Sequence, residues 1–212
     1  MPANPDVIAS ELSPWVAEPL SGSFEIEDAL VEGDLANVRA AGGRIARSRL
    51  ERTALTGARL RSLALVDVVA DQIEASAGDW TGGRMNRVVF DGCRMTGLIL
   101  GQVQADDVVF RNCQLKLANF GYSKLRHVVF EDCVLDDADF TGVTLRDARF
   151  TRCQLLRADF GQAALTRVDL RGSELEPVGD VHGLRGATID SVQLAGLAPL
   201  LARAAGILVD ND

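Results

Sequence analysis

The chain has 212 residues, of which 47% are apolar and 25% charged, and its formal charge is −8 at pH 7. That length suits one domain, or two small ones, with a sizeable buried core, and the balance of apolar and charged residues excludes intrinsic disorder. No run approaches the ~18 unbroken apolar residues of a membrane helix. The opening Met1-Pro2-Ala3-Asn4-Pro5-Asp6 lacks the basic and apolar regions of a secretion signal, so a cytoplasmic address with reduced cysteines is expected.

Residues 1–34 hold eight acids and no Lys or Arg, whereas the rest of the chain holds as many acids as bases. Asn4-Pro5-Asp6, followed by Val7, Ile8, Glu11 and Leu12, predicts a short helix with Asn4 as cap, ended by Pro14. Trp15 and Phe24 are then placed to cover whatever follows, which makes residues 1–25 an acidic N-terminal cap. The competing expectation is an acidic arm that reaches a partner. The stretch Arg39, Arg44, Arg47, Arg49, Arg52, Arg59, Arg61 has only Glu51 against it. It lacks aromatic residues for stacking on bases, so pairing with the acidic first residues is expected rather than direct nucleic-acid binding.

From Leu30 to Leu175 every fifth residue is apolar, for 30 consecutive positions, 26 of them the large residues Leu, Ile, Met, Phe or Trp. The residue two before each centre is Gly, Ala, Ser, Cys, Thr or Val in 26 of the 30. Five is neither the helical period near 3.6 nor the strand period of 2. The four Ala centres each have a larger β-branched residue at the small position: Val38, Val68, Ile73 and Val103 before Ala40, Ala70, Ala75 and Ala105. That volume exchange is what a shared, densely packed interior requires.

A 20-residue period overlies the five. It links Arg87-Val-Val-Phe90, Asp107-Val-Val-Phe110, His127-Val-Val-Phe130, Asp147-Ala-Arg-Phe150 and Arg167-Val-Asp-Leu170, and it spaces Cys93, Cys113, Cys133 and Cys153. Four fives make one four-sided coil, and coils stacked at the ~4.8 Å of paired strands build a solenoid. Segments such as Ala118-Asn119-Phe120-Gly121-Tyr122, Ala138-Asp139-Phe140-Thr141-Gly142 and Ala158-Asp159-Phe160-Gly161-Gln162 resemble the pentapeptide-repeat family. The resemblance implies an all-β solenoid over residues 26–178, a right-handed quadrilateral β-helix of about 7.5 coils. The large centre and the small residue two before it would both point inward.

After Leu175 the five-step spacing resumes one residue early at Leu184, Ile189 and Leu194, and Glu176-Pro177-Val178-Gly179-Asp180 is the natural place for the break. Asp190 with Gln193 predicts a capping-box helix start. Leu194, Leu197, Leu200, Leu201 and Leu208 give it an apolar face, and Pro199 predicts a kink or restart. Residues 179–212 are thus a partial coil and helical segment. It either lids the last coil or, as the resemblance implies, joins two copies in a homodimer.

Little in the chain offers catalysis. The cysteines are 20 apart, fit no zinc spacing and occupy inward positions, so they read as small buried apolar residues. His127 sits in a surface column with Arg87, Asp107, Asp147 and Arg167, His182 in the irregular segment after the break, and neither has a nucleophile at a recognisable spacing. No enzyme activity, cofactor or metal is expected. The densest acidic cluster is Glu131, Asp132, Asp136, Asp137 and Asp139; with Asp159 beyond it, Asp132, Asp136, Asp137, Asp139 and Asp159 are the candidate partner surface. A 20-residue step places Arg111 beside Glu131, Arg152 beside Asp132, Lys116 beside Asp136 and Arg157 beside Asp137, so cross-coil pairing accounts for four acids of the cluster. Asp139 lies between Asn119 and Asp159 without a base.

The reading is a protein-interaction rod whose partner is another protein, with no membrane contact. The resemblance supplies the alternative, a DNA-mimicking modulator of DNA gyrase as in the family's quinolone-resistance and toxin-immunity members. A continuous acidic stripe on the folded surface favours gyrase; a checkerboard of paired charges favours the rod with a different partner.

Overall fold

An apolar residue that must face inward at every fifth position turns the backbone through one corner per repeat, and four corners close a coil. The computed structural model describes residues 1–8, 11–15, 20–178 and 181–209. It is a parallel β-solenoid of about eight turns followed by one helix. Strands pair with their equivalents one coil away, so Phe110 is the partner of both Phe90 and Phe130, and Ala105 of Met85 and Leu125. The four sides are named here by their inward centres. Side 1 carries Leu50, Ala70, Phe90, Phe110, Phe130, Phe150 and Leu170; side 2 runs from Leu55 to Leu175, side 3 from Leu60 to Phe160, and side 4 from Leu65 to Leu165. Sides 4 and 1 are continuous in the eight-residue strands Arg84–Asp91, Gln104–Arg111 and Lys124–Glu131.

The residue two after a centre turns the corner with a left-handed backbone: φ is 53° at Arg87, 56° at Asp107, 51° at His127 and 55° at Asp147. For a non-glycine residue this costs about 1 kcal/mol or more. It persists because burial and the inter-coil hydrogen-bond ladder determine the path. Inside, Phe90, Phe110, Phe130 and Phe150 stack with centroids 4.6–5.0 Å apart, and Phe120, Phe140 and Phe160 stack at 5.0 Å. The two stacks meet nearly at right angles, as at Phe120 and Phe130, with an interplanar angle of 87°. Edge-to-face contact of this kind is favoured by the ring quadrupoles. The volume exchange holds, with Ala70 and Val68, and Ala75 and Ile73, fully buried as pairs. The four cysteines are buried and free. Their thiols donate to backbone carbonyls, Cys113 to Arg111 O at 3.1 Å. Neighbouring thiols and burial push the Cys113 and Cys153 thiols far above the ordinary range.

Both ends break the regular step from coil to coil. Ile26 pairs with Ile45 and Val31 with Leu50, each one short of that step, so the inward centre is Val31 and not Leu30. Leu30 as a centre would have placed Asp28 at an inward small position. The slip instead puts Ala29 inside and Asp28 on a corner, where Arg47 binds its carboxylate through two nitrogens at 2.7 Å. At the far end Val168 pairs with Ala187 and Asp169 with Thr188, again one short. This coil is drawn so tight that a Cβ on Gly186 would lie 2.2 Å from Leu165 O and one on Gly183 2.0 Å from Phe160 O. The strand Glu174–Val178 leads into the break; Gly179 and Asp180 lie outside the described residues.

The expected helix after Asn4 does not form. Residues 1–8 carry neither helix nor strand. A helix of this length is marginal alone, and here backbone N–H groups are used on the rod instead: Ala3 donates to Asp107 Oδ1 and Asp6 to Asp67 Oδ1, each at 3.1 Å. Trp15, Leu20 and Phe24 do pack on the core's open end. At the other end helix α1 (Ser191–Ala204) begins with the expected capping box of Asp190 and Gln193. It runs through Pro199 without a restart. Gln193 is buried, and its amide donates to Leu170 O and Ser173 O at 2.7 Å, satisfying carbonyls of the last coil that no further coil can reach.

Candidate interaction surfaces

The charge columns form because equivalent outward residues of successive coils lie within reach of a long side chain. Each cross-coil pair expected from the sequence period is present. Arg111 Nε lies 3.2 Å from Glu131, Arg152 Nε 2.7 Å from Asp132, Lys116 Nζ 3.2 Å from Asp136, and Arg157 2.7 Å from Asp137. Arg152 and Arg157 each use two nitrogens on their carboxylate and hold it below the usual carboxylate range. Five of the seven arginines of the basic stretch are engaged as well, Arg39 and Arg59 having no ion pair among the described residues. Arg44 pairs with Glu25 and Glu27, Arg47 with Glu27 and Asp28, and Arg52 with Glu32. Arg49 and Arg61 reach Asp71 and Asp79.

The five candidate partner residues therefore do not form one patch. Asp132 and Asp137 occupy different corners, each under an arginine. Asp136 is 5% exposed on side 2, where it also accepts the Leu156 N–H. Asp139 and Asp159 remain, adjacent on side 3 and without an ion pair among the described residues. Their inner oxygens accept the N–H groups of Thr141 and Gly161, at 2.8 and 2.7 Å, and Asn119 donates to Asp139 at 2.9 Å. The outward positions beside them are Gly121, Thr141 and Gly161, so side 3 is flat here. Three apolar residues with large exposure flank it: Ile99 on the side itself and Leu117 and Tyr122 at its two corners. Tyr122 lies over Gly142 of the next coil, where a Cβ would meet the ring at 2.6 Å. Sequence reasoning passed over Leu117 and Tyr122; both are corner residues in a repeat whose corners are otherwise polar or small.

The candidate dimer residues also divide. Leu197 is 2% exposed and closes the last coil, and Leu200 is half-buried. Leu194, Leu201 and Leu208 are exposed. Leu197 and Leu201 border a groove of about 380 Å³ between α1 and the final partial coil, with Leu184, Ala187 and Ile189 opposite.

His127 is brought to Asp106 and Asp107, with the three ligand atoms within 4.8 Å of one another. Both carboxylates have other partners, since Asp106 pairs with Arg126 and Asp107 accepts the Ala3 N–H. No helix among the described residues is long and apolar enough to cross a membrane.

No curated protein matches the sequence. Among solved structures, a trypsin-treated form of QnrB1, described as a plasmid-mediated fluoroquinolone resistance protein, is 17% identical with a TM-score of 0.40. That match covers 89% of this chain and 100% of the other. HetL, a pentapeptide repeat protein involved in heterocyst differentiation regulation from the cyanobacterium Nostoc sp. strain PCC 7120, is 17% identical with a TM-score of 0.43. It is matched over 80% of this chain and 84% of its own. Residues 83–160 and, overlapping them, 103–178 fit the family model of the pentapeptide repeat region. Over residues 83–178 the chain is thus a pentapeptide-repeat region, and the same inward five-residue period continues into the coils before it.

Proposed function

We propose that the protein is a non-enzymatic interaction rod that binds another protein through side 3. The observation that carries this is the division of its acids. Most acids in the candidate cluster are neutralised by a cation one coil away, giving the checkerboard rather than a continuous acidic stripe. Asp139 and Asp159 are left half-buried and without a cation among the described residues, on a flat, glycine-rich side bordered by Ile99, Leu117 and Tyr122. An exposed tyrosine and aliphatic anchors beside unpaired carboxylates are the ingredients of a contact with a basic protein surface. A second copy, seated on the exposed leucines of α1, would extend the rod to twice its length.

The test is affinity capture from the producing cells with the wild-type chain and with Asp139→Lys/Asp159→Lys. A protein held by the first and lost by the second supports the side 3 contact; equal capture by both overturns it. Light scattering of the wild type and of Leu194→Glu/Leu201→Glu tests the second copy, with a halved mass expected for the variant.

The alternative partner is DNA gyrase, favoured by the short anionic strip of Asp139 and Asp159. Titration into a gyrase supercoiling assay, with and without a fluoroquinolone, decides it. Inhibition or relief of drug-induced cleavage supports the gyrase reading, and no effect at ~10 μM, a generous excess over a specific Kd, removes it.

A further inference from the structure

One corner column, between sides 4 and 1, alternates between basic and acidic residue types coil by coil: Arg47, Asp67, Arg87, Asp107, His127, Asp147, Arg167. Its acids therefore recur every second coil, about 9.6 Å apart. The arm of residues 1–8 lies across this column. Ala3 donates to Asp107 and Asp6 to Asp67, so a three-residue step along the arm spans two coils. Each donor directly follows a proline, Pro2 or Pro5, in the sequence Pro2-Ala3-Asn4-Pro5. Proline fixes its own φ and drives the preceding residue towards extended backbone. A polyproline-II helix has three residues per turn and a pitch of about 9.3 Å, so residues three apart face the same way at nearly the spacing of alternate coils. The two periods match.

Beside the column, side 1 has an uncommon outer surface. Val69, Val89, Val109 and Val129 point outward in successive coils, between Arg49 and Arg149. Val109 is only 9% exposed. A groove of about 640 Å³ opens between Met1, Pro2 and Asn4 and the sheet surface at Val109 and Val129. The same groove runs past Met1 to Asp147, the next acid of the alternating series.

We propose that this column and the valine stripe form a track for a polyproline-II segment of P-x-x-P type. Residues 1–8 are its resident occupant, and the partner it fits is a proline-rich segment of another protein that takes the same track. Recognition has two parts. The N–H after each proline meets an acid of every second coil, and the Pro2 ring faces Val109 and Val129 across the groove. This adds a second contact class to the interaction-rod reading and rests on that reading for its use. The experiment reads the track alone, so its failure leaves the side 3 contact untouched.

The experiment is nuclear magnetic resonance of the full chain. In the wild type, the Ala3 and Asp6 amides should exchange with solvent about tenfold more slowly than those of Asn4 and Val7. Asp107→Ala should abolish the protection at Ala3. In the full chain carrying Pro2→Gly and Pro5→Gly, whose melting temperature should be unchanged because both sites lie outside the coils, protection should vanish from both amides. A synthetic peptide with the sequence of residues 1–8 should then give saturable shifts at the Val109 and Val129 methyls of that variant. A peptide of the same composition with its two prolines adjacent should not. Equal exchange at all four amides overturns the resident arm. Absence of saturable shifts at millimolar peptide, or equal binding of the adjacent-proline peptide, overturns the track.

Discussion

The middle of the rod and its two ends use the same five-residue unit but are held by different means. In the middle each coil meets two others like itself. Phe130 stacks on Phe110 and Phe150, and each strand finds its ladder partners at the equivalent positions of the adjoining coils. At the ends a coil has a neighbour on one side only. There the step from coil to coil is shortened, Trp15, Leu20 and Phe24 cover one opening, and Gln193 and Leu197 cover the other. Stability in the middle therefore comes from repetition, and at the ends from single side chains with no equivalent elsewhere. A defect in the middle should spread to several coils, whereas a defect at an end should stay local.

The largest effect should come from Phe130→Asp. The site is fully buried between two ring neighbours, and a carboxylate there has no partner. A loss of more than about 4 kcal/mol is expected, with hydrogen-exchange protection falling on both flanking coils. A loss confined to one coil would show that the middle is not cooperative. Next is Gly186→Ala, at the tight final coil. Its φ of 92° and a Cβ 2.2 Å from Leu165 O leave no room without a backbone shift. About 3 kcal/mol is expected, with protection lost around residues 165–190 and retained near Phe110. Loss at Phe110 as well would mean that the ends and middle unfold as one unit.

What the sequence discloses follows the same division. The middle was legible because one physical constraint, the inward residue, acts at every fifth position and is repeated too often for local exceptions to hide it. The four cross-coil ion pairs of the acidic cluster followed from the coil period alone. The ends were less so. At Leu30 an apolar residue stands at the expected position, yet Asp28 two residues before it could not be buried, and Val31 takes the interior instead. The segment after Asn4 carries helix-start residues, but the rod's Asp67 and Asp107, far along the chain, compete for its N–H groups. No local pattern shows such a partner. The narrowing of the candidate surface to Asp139 and Asp159 likewise depended on seeing which carboxylates an arginine or Lys116 reaches.

Acid should affect the ends and the middle alike, because both hold their carboxylates with arginine. Arg44 and Arg47 lower Glu27, Arg47 lowers Asp28, Arg152 lowers Asp132, Arg157 lowers Asp137 and Arg167 lowers Asp147. A carboxylate whose folded pKa lies below its unfolded value binds fewer protons when folded. Its stabilisation is complete above the unfolded value of about 4 and is lost as pH falls through the folded value. The melting temperature should therefore be flat from neutral pH to about 5 and decline below about 4. A decline beginning near pH 6.5 would show that groups other than these carboxylates govern the dependence.

The smallest effect should come from Glu131→Ala, one residue from the most damaging substitution. Glu131 is reached by Arg111 at 3.2 Å and by Arg152 at 2.9 Å, so it is held by charge where Phe130 is held by its rings. Both arginines keep a second carboxylate when Glu131 is removed, Asp91 for Arg111 and Asp132 for Arg152, and all these side chains touch water. A change of less than about 1 kcal/mol is expected in a thermal melt, smaller still at high salt. If Glu131→Ala approached the loss seen for Phe130→Asp, the charge columns and not the apolar interior would be holding the coils in register. The middle of the rod would then owe its stability to the same kind of single side-chain contact as the ends.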